Sequence, residues 1–281
     1  MRPDAVSIAI RRIALTLVAL AFVAPFGWML LASVASAEGL ATGDLTEGDG
    51  WPQLTNYAAV AGRIDLARQI TNTAWIAVCN VVGSVLSGAL VGYAFARLRF
   101  RGRDALFLAV LSAMLLPPQV TMIPQFLLFR ELGWLDSSLP LTVPAFLCGN
   151  GFNAFFVFLF RQYYLGLPRE LEEAARVDGA GFAATFLRIF LPLSLPAAAA
   201  VAVFAFVWSW NDFQLPLVFL HSPEQHTLAL GLAAFKGGPY GNTQVHLLMA
   251  GSVIAIAPCI VLFLAAQRLF LSSVSVGGLK S

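Results

Sequence analysis

Residues 191–213 read LPLSLPAAAAVAVFAFVWSWNDF, a run of 23 residues in which Asp212 carries the single charge. A helix needs roughly 20 mostly apolar residues to cross the hydrocarbon core of a bilayer. The run therefore predicts a membrane-spanning helix.

The composition of the whole chain agrees with this prediction. Of its 281 residues, 59% are hydrophobic and 11% are charged, whereas a soluble domain carries about 25% charged residues. So few polar side chains cannot cover a globule of this size. A soluble fold is therefore excluded.

Five further apolar runs are long enough to span a membrane. With the first run they predict an all-α polytopic protein of six transmembrane helices, folded as a single permease-type domain over residues 1–281. The six predicted spans are residues 13–34, 70–95, 105–128, 141–160, 191–213 and 245–264. The alternative for the first run is a cleaved signal peptide, because Arg11 and Arg12 precede it and Ala35-Ser36-Ala37 follows it. Its 22 residues exceed the apolar core of a signal peptide and favour a retained span.

The basic residues predict how the chain is oriented. Six spans place both termini and the connections 97–104 and 161–190 on one side, and the loops 35–69, 129–140 and 214–244 on the other. The first side holds 13 Lys or Arg residues and the second holds four. Because basic residues concentrate on the cytoplasmic side, we expect both termini in the cytoplasm of a multi-pass plasma or inner membrane protein.

The residue types that the chain lacks at key positions argue against several transport mechanisms. No predicted span has an ionisable residue at its centre, which disfavours a carrier driven by an ion gradient. A phosphate-binding P-loop requires Gly-Lys followed by Ser or Thr, and the two lysines, Lys236 and Lys280, lie in no such sequence. The cysteines and histidines have no metal-ligand spacing. We expect a non-catalytic chain that binds no metal or cofactor of its own.

The connection between the fourth and fifth spans, residues 161–192, contains two predicted short helices. Pro168 suits the first position of a helix, and the acidic residues after it complement the helix dipole. Gly179 suits the left-handed position that ends a helix. Leu171, Ala174, Ala175 and Asp178 would then share one face. From this pattern alone, a surface for a partner and a loop packed on its own bundle are equally good interpretations.

One motif in this loop resembles a known family. Residues 173–179 read EAARVDG, and after nine residues IFLP follows at 189–192. This spacing resembles the EAA motif of the permeases of binding-protein-dependent ABC importers. The stretches MLLPPQ at 114–119, LGWLDS at 132–137 and WSWNDF at 208–213 resemble the carbohydrate-uptake branch, in particular the G-type subunit of maltose systems.

The resemblance implies roles for residues and partners. In the family, the motif forms a coupling helix-turn-helix that sits in a cleft of the cytoplasmic ATPase. Glu173, Ala174, Ala175 and Gly179 would form the docking core here. The remaining residues assigned to ATPase coupling are Leu171, Glu172, Arg176, Asp178, Ile189, Leu191 and Pro192. The implied partners are an ATPase dimer that uses ATP and Mg²⁺, a second homologous permease, an external solute-binding protein and the lipid bilayer, with no nucleic acid.

A sugar path needs amide and aromatic side chains, because sugars present hydroxyl groups and apolar ring faces. On a helix, Phe206 and Trp210 would share a face. The candidate path or gate residues are Gln119, Asn153, Phe206, Trp208, Trp210, Asn211, Asp212 and Gln214. An aromatic belt at the membrane surface is the alternative for the aromatic residues, and hydrogen bonding between helices is the alternative for Asn153. Pro117, Pro118 and Pro124 predict a bend in the third span.

The sequence thus predicts a permease subunit that forms half of the path of a carbohydrate or polyol phosphate importer. Two alternatives remain open. One is an ABC permease for an amino acid, a peptide or phosphate, and the other is a self-sufficient facilitator or channel.

Overall fold

The computed structural model describes residues 5–48, 50–149, 151–237 and 244–277. Within these ranges every regular element is a helix and there is no β-strand, which confirms the all-α prediction. The chain divides into two compact units, residues 1–67 with 231–258 and residues 68–230 with 259–281. Residues 238–243 of the predicted loop 214–244, and the basic residues Arg2 and Lys280 at the termini, lie outside the described residues. That residues 1–281 form one permease domain stays a prediction.

The first unit begins with the long apolar helix α1. Its elements are α1 (Ala5–Ser33), α2 (Ala37–Thr42), α3 (Thr55–Arg63) and the start of the C-terminal helix (Val245–Gly277). The Ser36 hydroxyl caps α2 by accepting the Gly39 N–H at 2.8 Å. The Asn56 amide donates to the carbonyls of Ser33 and Ala35 at 3.0 and 2.9 Å. The predicted loop 35–69 therefore packs on the end of α1.

The second unit holds most of the remaining helices. Its first part comprises α4 (Leu66–Arg97), α5 (Arg103–Ala113), α6 (Pro118–Glu131), α7 (Leu139–Phe146) and α8 (Asn153–Leu165). Its second part comprises α9 (Glu170–Val177), α10 (Phe182–Thr185), a π-helical turn (Phe186–Phe190), α11 (Leu191–Leu193), α12 (Leu195–Trp210) and α13 (Gln214–Phe219). The short α14 (Leu228–Leu232) lies at the border of the units, and the C-terminal helix is α15.

Among the described residues, three helices are long and apolar enough to cross a membrane: Ile8–Ser33, Leu66–Arg97 and Val245–Gln267. The number rises to five if each of two bent helix pairs counts as one span. These match the predicted first, second, third, fifth and sixth spans. The chain is therefore a multi-pass membrane protein.

The predicted third span is bent by 97° between α5 and α6. The break lies directly before Pro118, and Pro117 forms the N-cap of α6. Proline lacks the N–H that would continue the hydrogen-bond ladder, so the predicted bend is confirmed. Pro124 lies inside α6.

The predicted fourth and fifth spans differ from continuous helices. Two helices, α7 and α8, are present where the sequence predicts one continuous span over residues 141–160. The helix breaks between them because Cys148 adopts a φ of 55° and the Gly149 N–H donates to the Pro144 carbonyl at 2.7 Å. The fifth span bends by 73° between Leu193 and Leu195. Pro196, which has no N–H, occupies the first turn of α12. Residues 191–193 therefore lie before the bend, in the helical segment Phe182–Leu193. Residues 161–193 are called the coupling loop, after the role that the sequence resemblance implies.

The core of the second unit is aromatic and joins α4, α8 and α12 to the coupling loop. Tyr93, Phe160, Tyr164 and Phe190 are each at most 2% exposed. Gly92 lets α4 approach α8 closely, because a Cβ atom added there would lie 2.6 Å from the Phe160 Cβ. These helices position the coupling loop.

Candidate coupling site and transport path

The first helix of the coupling loop, α9, is closed by a complete C-terminal cap. Gly179 adopts a φ of 74°, and the Ala180 N–H donates to the Ala175 carbonyl at 2.8 Å while the Gly179 N–H donates to the Arg176 carbonyl at 3.0 Å. These two bonds form a Schellman motif. The predicted end of the helix is therefore confirmed. Its start lies at Glu170, two residues beyond the predicted Pro168.

The faces of α9 differ from the predicted ones. Ala175 is buried at 3% exposure and Leu171 is half-buried, whereas Ala174 and Asp178 are exposed. The four residues therefore do not form one outward face. The outward surface of α9 and its C-cap consists instead of Glu170, Glu173, Ala174, Arg176, Val177 and Asp178.

Glu172 turns back toward the protein. Its side chain is 17% exposed and accepts a hydrogen bond from Arg176 at 2.7 Å, one helical turn later. Such a pair contributes about 0.2–0.5 kcal/mol to an isolated helix. Among the acidic residues of α9, Glu170 and Glu173 are exposed, and their side chains make no hydrogen bond or ion pair within the described residues.

Arg97 of α4 anchors the start of the loop. Its guanidinium donates to the Leu167 carbonyl at 2.6 Å and to the Tyr164 carbonyl. It also lies over the Phe190 ring, with 5.1 Å from Cζ to the ring centroid, in cation–π geometry. One arginine therefore contacts both ends of the coupling loop.

Tyr93, one turn earlier on α4, packs against the second half of the loop. Its ring centroid lies 5.3 Å from Phe182, 5.2 Å from Phe186 and 4.9 Å from Phe190. Ile189 and Leu191 pack against the same core cluster, and Pro192 is exposed. The contacts of Tyr93 and Arg97 with the loop were not predicted from the sequence. A polar pair one turn apart at the end of an apolar span was the available signal.

Two candidate path residues meet at the bend of the predicted third span. The Gln119 amide donates to the Gln214 side chain at 3.5 Å, and both residues are exposed. Asn211 is exposed and donates to the Val207 carbonyl at 2.7 Å. Asp212 accepts the Leu215 N–H, in the first turn of α13, at 3.2 Å. The exposed amides of Gln119, Asn211 and Gln214 provide the hydrogen-bonding groups that a sugar requires.

The aromatic candidates divide between two environments. Phe206 and Trp210 stack at 5.2 Å with an interplanar angle of 17°, so they share a face as predicted. Trp208 stacks on Phe152 at 4.0 Å and on Phe156 at 5.4 Å. Its ring therefore packs on α8.

Asn153 is fully buried and connects helices. Its Oδ1 atom accepts the Ser84 hydroxyl at 2.8 Å, and its amide donates to the Ala145 carbonyl at 2.7 Å. This geometry favours hydrogen bonding between helices, the alternative for Asn153, over a position in a path.

Two further polar residues of α4, which were not predicted from the sequence, continue this network. The Asn80 amide donates to the Leu141 carbonyl at 2.8 Å, and the Ser87 hydroxyl donates to the Ala145 carbonyl at 2.8 Å. The spacing of Asn80, Ser84 and Ser87 places them on one helix face. That periodicity was the signal available in the sequence.

Asp136 joins two of the predicted external loops. Its carboxylate accepts the Ser222 hydroxyl, the Ser222 N–H at 2.8 Å and the His221 N–H at 2.9 Å. These hydrogen bonds, that of the Ser222 hydroxyl foremost, lower the pKa of Asp136 to about 2. Hydrogen bonds to the charged form of a carboxyl group favour that form.

The chain is similar to permeases with established names. It is 42% identical over 209 residues to the arabinooligosaccharides transport system permease protein AraQ of Halalkalibacterium halodurans, covering 74% of this chain and 72% of that protein. It is 34% identical to the alpha-glucoside transport system permease protein AglG of Rhizobium meliloti, covering 81% and 60%. It is 28% identical to the lactose transport system permease protein LacG of Rhizobium radiobacter, covering 99% and 97%.

A solved structure shares the fold. It is the crystal structure of a bacterial ABC transporter involved in the import of the acidic polysaccharide alginate. The matched chain aligns with a TM-score of 0.79 at 24% identity, over 95% of this chain and 98% of its own length. A family model, the binding-protein-dependent transport system inner membrane component, matches residues 84–276. Because that match covers more than half of the chain and includes the entire coupling loop, the protein belongs to this family of membrane permease components.

Proposed function

We propose that the chain is one of two permease subunits in an ABC importer for an oligosaccharide or a related carbohydrate, and that it forms half of the translocation path. The observation that carries the substrate class is the similarity to permeases named for arabinooligosaccharides and alpha-glucosides. The exposed amides of Gln119, Asn211 and Gln214 supply the chemistry that sugar hydroxyl groups need. The substrate class that we propose also includes polyol phosphates.

The chain itself does not hydrolyse ATP in this proposal. A separate cytoplasmic ATPase dimer binds ATP and Mg²⁺, and the outward surface of α9 docks on that dimer. Glu173, Val177 and Asp178 are exposed there, with Val177 at 88%. An external solute-binding protein delivers the sugar on the opposite side. The larger number of basic residues on the α9 side supports this orientation.

The coupling step follows from how α9 is attached. Arg97 and Tyr93 join both ends of the loop to α4, and Phe190 packs in the core that includes Val201 and Ala205 of α12. A displacement of α9 therefore also displaces α4 and α12, because closely packed aromatic rings connect these helices to the loop. Packed interiors transmit such displacements because they leave few voids.

A reconstitution experiment tests this proposal. The chain is placed in proteoliposomes with its second permease, the ATPase and the solute-binding protein, and uptake of labelled oligosaccharides is measured with and without ATP. We expect uptake that requires ATP, and Glu173→Lys should abolish it while the complex still assembles. Glu131→Lys, an exposed charge reversal in the predicted external loop 129–140, is the matched control.

Three results would contradict the proposal. Sugar flux through the chain alone, without ATP or a binding protein, would establish a facilitator. ATP-driven uptake of an amino acid, a peptide or phosphate in place of a sugar would overturn the substrate class. Normal uptake by Glu173→Lys would remove the coupling role of α9.

A further inference from the structure

An open recess of about 720 Å³ lies at the turn between α4 and α5. It is lined by residues 99–105 together with Arg169, the residue that precedes α9. Gly102, with a φ of 80°, makes the turn that starts α5. The recess is therefore on the same side of the protein as the coupling loop.

The lining of the recess carries a strong excess of positive charge. It contains four arginines and one acid, and that acid, Asp104, is paired with Arg103 at 2.9 Å. Among the described residues, Arg99, Arg101 and Arg169 have no hydrogen-bond or ion-pair partner for their side chains, and all three are exposed. Three guanidinium groups are therefore free to bind an anion.

Neighbouring arginines behave differently, which makes the three distinctive. Arg97 donates to the Leu167 carbonyl at 2.6 Å, and Arg161 lies 4.1 Å over the Phe107 ring. Both guanidinium groups contact other parts of the protein, although their buried Nε atoms have no hydrogen-bond partner among the described residues. The side chains of Arg99, Arg101 and Arg169 make no such contact with the described residues.

The recess opens beside an apolar surface. Phe100 within it is 41% exposed, and Leu106 and Leu108, in the first turns of α5, are 54% and 67% exposed. α5 is half of a bent helix pair that is apolar enough to span the membrane. A molecule with an anionic head and an apolar tail could therefore place its head on the arginines and its tail on the exposed leucines.

We propose that this recess binds the phosphate group of an anionic phospholipid from the adjacent leaflet. Guanidinium groups match phosphate oxygens in bidentate geometry, and anionic leaflets attract juxtamembrane basic clusters. The apolar flank formed by Phe100, Leu106 and Leu108 favours a lipid over an acidic protein surface or a soluble phosphate. The proposal goes beyond the transport function and does not depend on which solute is carried.

Lipid titration followed by native mass spectrometry tests the proposal. The full-length chain in a neutral detergent is titrated with phosphatidylglycerol, with phosphatidylcholine as the zwitterionic comparison and inorganic phosphate as the soluble anion. The test variant combines Arg99→Gln, Arg101→Gln and Arg169→Gln. The control variant combines Arg63→Gln, Arg130→Gln and Lys236→Gln, which removes equal charge on the predicted external side.

We expect phosphatidylglycerol to bind the wild-type chain more tightly than phosphatidylcholine. The test variant should lose on the order of 100-fold in affinity for phosphatidylglycerol, given the contribution of each basic residue near an anionic surface. The control variant should stay close to wild type. Equal thermal unfolding of the three proteins shows that the variants are folded.

Several results would overturn the proposal. One is equal binding of the two lipids, and another is equal loss in the test and control variants. Binding of inorganic phosphate without binding of phosphatidylglycerol would assign the recess to a soluble anion. Unchanged lipid binding, together with loss of ATPase association in the test variant, would assign it to an acidic protein partner. Because the readout is lipid binding, failure here leaves the transport proposal untouched.

Discussion

Ala174 and Ala175 are adjacent residues of the same type, but they occupy different environments in the coupling loop. Ala175 is buried beneath α9 and supplies the carbonyl that accepts the Ala180 N–H, whereas Ala174 lies on the outward surface. A larger residue at 175 would disturb packing inside the permease. A larger residue at 174 would instead protrude from the outward surface, where we propose that the ATPase docks.

Gly179 offers a sharp test at the scale of one residue. Its φ of 74° lies in the left-handed region, which costs a residue with a Cβ atom roughly 1–2 kcal/mol. Gly179→Ala should therefore weaken the Schellman cap, and reduce sugar uptake per ATP hydrolysed in proteoliposomes. Gly181→Ala is the matched control, because Gly181 has a φ of −74° and a Cβ atom added there would meet nothing within 4 Å. Equal uptake by both variants would show that the cap has no part in coupling.

Asp136 predicts a pH dependence at the predicted external loops. Its folded-state pKa of about 2 lies below the ordinary value of 3.8. The stabilisation it provides is therefore complete above about pH 5 and is lost progressively as the pH falls through 3.8 toward 2. Asp136→Asn should lower the melting temperature at pH 6, and this difference from wild type should shrink near pH 2. Glu224→Gln, at an exposed residue of the same region, is the control, and a gap that does not change with pH would contradict the assignment.

At the scale of elements, α4 organises the second unit through small and polar residues. Gly92 permits the close approach to α8, and Asn80, Ser84 and Ser87 hydrogen-bond to α7 and α8. Small residues and hydrogen bonds stabilise helix pairs in membranes because lipid removes the hydrophobic drive between them.

Gly92→Ala tests this contact. The added Cβ would lie 2.6 Å from the Phe160 Cβ and 3.0 Å from the Arg161 backbone nitrogen, so α4 and α8 must separate. Overpacking of this kind costs typically 1–3 kcal/mol, and we expect a lower melting temperature of the detergent-solubilised chain. Gly27→Ala in α1, where the added atom meets nothing within 4 Å, should be neutral. An unchanged melting temperature in Gly92→Ala would show that the contact is loose.

Sequence patterns predicted the elements unevenly, for physical reasons. The uninterrupted apolar runs in α1, α4 and α15 predicted their spans, and Gly179 predicted the end of α9, because each signal is local. The break between α7 and α8 depends on a left-handed Cys148, a conformation with no strong sequence signal. The packing of half-buried Trp208 and the burial of Asn153 depend on α8 and α4 as neighbours, which periodicity within one helix cannot identify.

At the scale of the whole molecule, the proposed orientation places α9 and the 221–225 region on opposite sides of the membrane. Single-cysteine variants at Val177, which is 88% exposed, and at Glu224 test it. The background should replace the free cysteines Cys79, Cys148 and Cys259 with alanine. In intact cells, an impermeant maleimide should label Glu224→Cys only, and Val177→Cys should react after lysis. The reverse pattern would invert the topology.

The π-helical turn Phe186–Phe190 has a consequence for the length of the coupling loop. A π-helical turn contains one residue more than an α-helical turn, and each residue of an α-helix rotates the chain by about 100°. Removing one residue there would restore α-helical spacing but rotate Phe182 and Phe186 away from Tyr93 relative to Phe190. The packing on Tyr93 therefore requires a fixed number of residues in this part of the loop. Insertions or deletions in the segment should be far less tolerated than substitutions.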